Sequence, residues 1–522
     1  MLVRSMCGVL LGTVCSVCSA QFLNNLPIGN AKAIAMGGAV TADYTAVDAI
    51  HFNPAALVNI KRSTKQLNVL TATLESRTQF GQRDLAADQL AEFLALGLNT
   101  EKLVDPLENT ESELNSDEPI LYIPGAGPTD LPLLAAPVGG VAIPFPDGSA
   151  TVATNIYSPL AVGYTRSDDD PGRYQGKSVT MVNIRYFNPA YAMRISDTFA
   201  MGGALNFGWT GVAMDMDLRA ANLILAALQS ACMIIEDVFK PCASSLGPYE
   251  DIGSLSVEVE EGLTPTFNLG VLWEPTPWFS WGATYRTGAS LSLEGEYEFS
   301  YSDNWQTFWK GINVINLPIL PNGKQASERG KLKLEMQLPD EVQTGISVRL
   351  FPRLKVNLDA RWTEYSAWDT FDLFFDKNLD FLKIASLVAP EDAGPTSLLL
   401  PRNYRDTWAY GIGVEYAWND ALDLRAGYEY RQSMADSDKQ DLIIPLGPAN
   451  YFGMGFGYKT GDQSVFDLGI GFLDSRGRAK SCESTIANSC RAGDLIYNPY
   501  GGLNMKTKTQ AYFFVLSYQS GF

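Results

Sequence analysis

The sequence predicts an all-β protein: a transmembrane antiparallel β-barrel of about fourteen strands with an N-terminal plug in its lumen. Three observations predict it. Long segments alternate large apolar residues with small or polar ones. Short turns alternate with long loops along the chain. The last strand ends on an aromatic residue, Phe522, in phase with its alternation.

Export comes first in the chain. Arg4 precedes an apolar run from Met6 to Cys18, and small residues end at Ala20. This order is that of a secretory signal peptide over residues 1–20, with cleavage expected near Ala20–Gln21. No later segment is apolar enough to cross a bilayer as a helix; the longest, Leu223 to Ile235, contains Gln229 and Ser230.

Residues 21–63 lack a period of two. They are rich in Gly, Ala and Asn and include Met36-Gly37-Gly38-Ala39 and Phe52-Asn53-Pro54-Ala55. Small residues permit close backbone packing, and Asn-Pro sets a turn, so this segment is expected to fold as a compact plug.

Residues 64–522 carry the barrel pattern. Leu354, Val356, Leu358, Ala360 and Trp362 alternate with Lys355, Asn357, Asp359, Arg361 and Thr363. Trp408, Tyr410, Ile412, Val414 and Tyr416 do the same against Thr407, Ala409, Gly411, Gly413 and Glu415. A period of two puts the two sets on opposite faces, one suited to lipid and one to a polar lumen. A soluble sandwich also alternates, but its dry core would reject so many inward charges. Turn formers such as Pro146-Asp147-Gly148, Phe351-Pro352-Arg353 and Asn419-Asp420 mark the short ends of the hairpins.

The formal net charge of −19 argues against nucleic acid as a partner. Outside the signal peptide the cysteines form two close pairs, Cys232 with Cys242 and Cys482 with Cys490, read as local disulfides of an oxidising compartment. No cysteine or histidine spacing suits a metal, and no phosphate-binding loop is present, so neither metal nor cofactor is expected. Three long loops are apolar for solvent-facing segments. One holds Leu223, Leu225, Leu228, Met233 and Ile234. Another holds Trp305, Phe308, Trp309 and Ile312 at helical spacing, and a third holds Phe371, Phe374, Phe375 and Phe381. Such patches either capture apolar ligands or pack on one another as caps.

The lead Asp48-Ala49-Ile50-His51-Phe52-Asn53-Pro54-Ala55, with Asn188-Pro189-Ala190-Tyr191-Ala192, Tyr285-Arg286-Thr287-Gly288, Leu338-Pro339-Asp340 and Trp362-Thr363-Glu364-Tyr365-Ser366-Ala367-Trp368, resembles the FadL family of outer-membrane transporters of long-chain fatty acids and related hydrophobic compounds. The resemblance runs along most of the chain. It implies residence in the bacterial outer membrane and a gate around Asn53, Pro54 and Ala55. It also implies capture of ligand in a groove formed by the first two apolar loops. Exit is then lateral, beside an inward kink in the third strand, Thr151 to Gly163, for which Asn155, Pro159 and Gly163 are the candidate kink formers. The expected partners are a hydrophobic small molecule and surrounding lipid, with the chain working as a monomer.

One departure from the resemblance concerns the ligand. The family's basic residues that meet a carboxylate would fall near Gly211 and Asp372, which carry no positive charge. A neutral hydrocarbon then competes with a fatty acid as cargo. Arg286 and Arg361 are alternative lumenal anchors, or members of a lumenal salt-bridge network. Rival readings are an adhesin or receptor and a lipid-active hydrolase on the same barrel; the latter has His51 alone as a histidine base.

Overall fold

In this computed structural model of the chain, the described residues are 20–21, 29–84, 104–114, 120–130, 136–219, 246, 249–313, 316–445, 447–461, 464–491 and 498–522. Fourteen strands close into one ring. They are β1 (Thr64–Arg83), β2 (Ala136–Pro144), β3 (Ala150–Thr165), β4 (Ser178–Phe187, resuming as Ala190–Arg194) and β5 (Phe199–Arg219). Next come β6 (Asp251–Thr276), β7 (Phe279–Arg286 and Ala289–Tyr301), β8 (Ser327–Leu338 and Glu341–Phe351), β9 (Leu354–Thr363 and Thr370–Phe375) and β10 (Ser397–Pro401 and Thr407–Ala417). The ring finishes with β11 (Leu422–Arg431), β12 (Ala449–Gly461), β13 (Ser464–Ala479) and β14 (Leu503–Gly521). Every neighbouring pair is antiparallel, and β14 returns to β1 with Leu67 opposite Tyr518. Closure removes the open edges that lipid would leave without hydrogen-bond partners.

The alternation sorts the faces as expected. Trp408, Tyr410 and Ile412 face outward and are 41%, 49% and 41% exposed. On β9, Asn357, Asp359 and Arg361 face inward and are buried. The lumen they line is not a dry core. Its lower half is filled by the plug and its upper half by inward apolar residues and short helices.

The plug comprises helix α1 (Ala31–Ala35), helix α2 (Ala49–Phe52) and a 3-10 turn over Pro54–Asn59. Asn30 caps α1 by accepting from Ala33 N at 3.0 Å, and Asn53 caps the 3-10 turn by accepting from Ala55 N at 3.1 Å. Two further helices cover the extracellular end, α3 (Asp303–Ile312) and α4 (Asp380–Val388).

Candidate functional site

The wall was shaped to receive the plug. A Cβ added at Gly270 would lie 2.2 Å from Asn53 Oδ1, and one at Gly202 would lie 2.5 Å from the Pro54 carbonyl carbon. These two wall glycines therefore make room for the Asn53-Pro54-Ala55 turn. Asn53 is fully buried; its Nδ2 donates to the carbonyls of Thr41 and Val271, both at 2.9 Å. Elsewhere Asp359 accepts from Val40 N, Thr41 N and Thr41 Oγ1 at 3.2, 3.0 and 2.5 Å. Asp48 accepts from Gln66 Nε2 and Asn68 Nδ2 of β1, both at 2.6 Å. At the periplasmic side Lys32 and Asp43 of the plug join Lys355, Glu415 and Arg425 of the wall in one ion-pair cluster. Burial, with Arg286, Arg361 and Arg185 nearby, holds the His51 imidazole well below its ordinary range and so neutral.

Above the plug lies an internal cavity of about 1280 Å³, open mouths included, bounded by His51 below and Trp368 and Met434 above. Arg286 and Arg361, the sequence-predicted anchors, line it. Neither is free for a ligand. Arg286 pairs with Glu341 and donates to His51 O at 3.1 Å. Arg361 meets Glu429 at 2.6 Å, and Glu429 also holds Arg431 at 2.8 Å. These residues form the salt-bridge network that the sequence left as the alternative.

The same cavity reaches Tyr157, Pro159 and Leu160, where the wall is irregular. The β3–β4 register shifts between Tyr157 and Leu160, and β4 itself breaks at Asn188-Pro189. Proline has no N–H for the ladder, which accounts for a break at each of these sites. Side chains occupy the gap. Asn188 Nδ2 donates to Asn155 O at 2.7 Å and Arg185 O at 3.1 Å, and Ser158 Oγ donates to Asn183 O at 2.7 Å. On its other side β3 pairs with β2 only as far as Ile156, opposite Gly139.

The three expected kink formers separate here. Pro159 lies inside the register shift. Asn155 precedes it, with its side-chain amide buried and unbonded. Gly163 lies beyond the shift and does not form it. Its outer face is instead covered by a hairpin, Ile120–Ile123 paired with Gly127–Asp130, and a Cβ at Gly163 would collide with the Ile120 carbonyl. Tyr122 of that hairpin packs on Trp209, centroids 5.3 Å apart, and donates to Glu258. Gly211 faces the same hairpin, since a Cβ there would meet Tyr122 and Trp209. It is thus no lumenal position at which a basic anchor was lost.

At the extracellular end a second cavity is lined largely by apolar side chains, among them Met214, Met216, Leu255, Phe381, Leu398 and Leu400. The expected open groove on α3 is closed in this structure. Trp305, Phe308 and Trp309 are buried, and Trp305 stacks on Tyr301, whose neighbour Phe299 stacks on Phe381 of α4. The apolar faces of α3 and α4 thus both pack on the β7 aromatics Tyr301 and Phe299. Ile312 is only partly buried at the edge of this cluster. Leu223, Leu225, Leu228, Met233, Ile234 and the Cys232–Cys242 pair lie outside the described residues. Cys482 and Cys490 are joined, with their Cα atoms 5.0 Å apart.

Sequence reasoning missed Arg185 and Asn188 as site residues. Arg185 lies opposite Tyr157 in the register, lines the cavity and is buried. Asn188 was visible only as part of a motif; its bridging role depends on a break in the adjacent strand.

Comparison with known proteins agrees with this architecture. A long-chain fatty acid transport protein of Escherichia coli O6:H1 (strain CFT073) is 24% identical over 208 residues, 40% of this chain and 41% of that protein. A putative outer membrane protein of Neisseria meningitidis serogroup B is 24% identical over 203 residues, 38% of this chain and 40% of that protein. The chain thus spans about two fifths of the length of the curated relatives it matches. The crystal structure of a Pseudomonas aeruginosa FadL homologue superposes with a TM-score of 0.65 at 18% identity, covering 97% of this chain and all of that one. The toluene transporter TodX of Pseudomonas putida superposes with a TM-score of 0.60 at 16% identity, covering 95% and 99%. Residues 9–522 match the family described as outer membrane protein transport protein (OMPP1/FadL/TodX), and the chain belongs to that family of outer-membrane β-barrel proteins.

Proposed function

We propose that this protein takes up hydrophobic small molecules, fatty acids or hydrocarbons, by passive, ligand-gated diffusion through its lumen and out through its side wall. The observation that carries the reading is the continuity of one cavity between the upper lumen and the β3 break, above a tethered plug. A greasy molecule gains about 0.8 kcal/mol per buried methylene, so successive apolar sites draw it inward without an energy source. The apolar cavity beside α4 serves as the receiving chamber, and the loops carrying Leu223 to Ile234 and Trp305 to Ile312 serve as its capture surface once the closed aromatic cluster parts. The cavity at Tyr157, Pro159 and Leu160 serves as the exit.

The Asn53-Pro54-Ala55 turn is the gate in this reading. A strict passage through the floor would break the bonds of Asn53, Asp48 and Asp359 together, whereas a small displacement near His51 enlarges the cavity and leaves most of them. A lateral exit also releases the ligand into lipid, where it is already soluble. The comparisons fit, since relatives bear names of fatty-acid and toluene transporters.

Binding tests it directly. Purified protein in detergent should bind a labelled fatty acid or toluene saturably, and cells carrying it should take the label up faster. An absence of saturable binding for every hydrophobic ligand tried would sink the reading. Hydrolysis of the bound ligand, lost on His51→Ala, would support the hydrolase instead.

A further inference from the structure

Among the described residues eight arginines are buried. Seven of them, Arg83, Arg166, Arg219, Arg286, Arg361, Arg402 and Arg425, stand within 4.0 Å of a carboxylate. Arg185 is the exception. It is 6% exposed, and its guanidinium has one hydrogen bond, to the carbonyl of Thr264 at 3.2 Å. A buried cation without a counterion is strongly disfavoured, so a membrane barrel that retains one at a cavity wall implies an anion that comes and goes.

Its surroundings describe that anion. Arg185 faces Tyr157 across the β3–β4 register, directly at the wall break, and lines the cavity together with Pro159 and Leu160. Asn183 and Asn206, also cavity-lining, commit their amide nitrogens to Thr210 and to Thr266 and Asn268, so the donor left at this end is the Arg185 guanidinium. Leu338, Pro339, Trp368 and Met434 also line the cavity and suit a hydrocarbon tail. The acids at the cavity, Glu341 and Glu429, are engaged by Arg286, Arg361 and Arg431 and do not neutralise Arg185.

We infer that Arg185 is an anion subsite at the side exit, holding the carboxylate of an amphiphile whose tail lies in the lumen. This rests on the reading that the lumen carries hydrophobic molecules, and it selects a carboxylate-headed amphiphile over a neutral hydrocarbon as the preferred cargo. Gly208 accommodates the arrangement, since a Cβ there would lie 2.7 Å from an Arg185 guanidinium nitrogen. The head group waits beside the break while the tail remains buried.

The test compares palmitate with hexadecanol, a neutral alcohol of equal chain length, on the full-length protein in non-ionic detergent. Wild type should bind palmitate about tenfold more tightly than the alcohol, the scale of one charge-assisted hydrogen-bonded contact. Arg185→Gln should abolish that preference, weakening palmitate binding far more than alcohol binding, and Arg185→Lys should restore part of it. Equal wild-type affinity for the two ligands overturns the subsite whether or not the variants fold. So does an undiminished preference in Arg185→Gln. Tight binding of the alcohol with no preference overturns the subsite alone, while failure of wild type to bind either ligand overturns the transport reading as well.

Discussion

The two sides of the barrel obey the same chemistry to different ends. From β10 to β14 the ladder slips only at the β12–β13 turn, between Lys459 and Gly461; β13 and β14 pair without interruption from Ser464 opposite Ser520 to Ala479 opposite Met505. Between β2 and β4 it slips at Tyr157, stops at Asn188 and loses β2 beyond Ile156. Each unsatisfied backbone group at membrane depth costs several kcal/mol, so an accidental break would not persist. Here Asn188 and Ser158 supply the missing donors to Asn155, Arg185 and Asn183 carbonyls. The difference teaches that the break is a built feature: ladder bonds are replaced there by side-chain bonds.

The regular wall has a task of its own, which is to hold the plug, and breaking that should have the largest effect. A Cβ at Gly427 would lie 2.1 Å from the Met36 carbonyl carbon, where backbone must move. Gly427→Ala should therefore unseat the plug, by overpacking of about 3 kcal/mol, and raise ion conductance in a planar bilayer. Gly461→Ala, which meets nothing within 4 Å, should leave conductance unchanged. Equal conductance in the two variants would separate the wall glycines from plug seating.

A smaller effect is expected at the break. Asn188→Ala leaves two carbonyls unbonded and should destabilise the barrel by about 2 kcal/mol, read by urea unfolding. It should also speed hydrogen exchange in β3 and β4 alone. Asn450→Ala on the regular wall, where the lost contact is from the Tyr428 hydroxyl at 2.7 Å, should cost about 1 kcal/mol or less. Reversal of that order would remove the claim that side chains hold the break.

The smallest effect is a pH dependence of plug seating. Burial pushes the Asp43 carboxyl up, but Lys32 and Lys355 outweigh it and hold the group below its ordinary range. Its stabilisation is present above the ordinary aspartate range and is lost as pH falls through the lowered folded value. Asp48 runs the other way. Burial raises it, against hydrogen bonds from Asn68, Asn30 and Gln66, so its protonated form favours the folded plug as pH falls through the raised value. Conductance should therefore rise only in strong acid, and Asp43→Asn should flatten that rise. A rise already complete at pH 6 would contradict this assignment.

The barrel was legible because lipid and lumen impose a period of two on residues such as Leu354 to Thr363, and the plug because residues 21–63 escape that period. Pro159 signalled the break for a local reason, its missing donor. Gly163 misled, because a glycine can accommodate a neighbour as well as a kink, and the hairpin that it admits comes from a distant loop. Trp305, Phe308 and Trp309 were read correctly as one helix face, but sequence could not say whether that face meets a ligand or the β7 aromatics. Arg185 looked like any inward charge on an alternating strand. Its distinction is that no carboxylate among the described residues pairs with it, which depends on how the strands around the cavity close.

The side route itself can be mapped without altering the chain. A fatty acid bearing a diazirine next to its carboxyl end, bound to the protein in lipid bilayers and photolysed, leaves its mark where the head-group end rests and exits. The account predicts label on Tyr157, Pro159 and Leu160 and on Ile156, which faces lipid beside them. Label on Thr41 and Asp43 beneath the plug, with none on β3, would contradict a lateral exit.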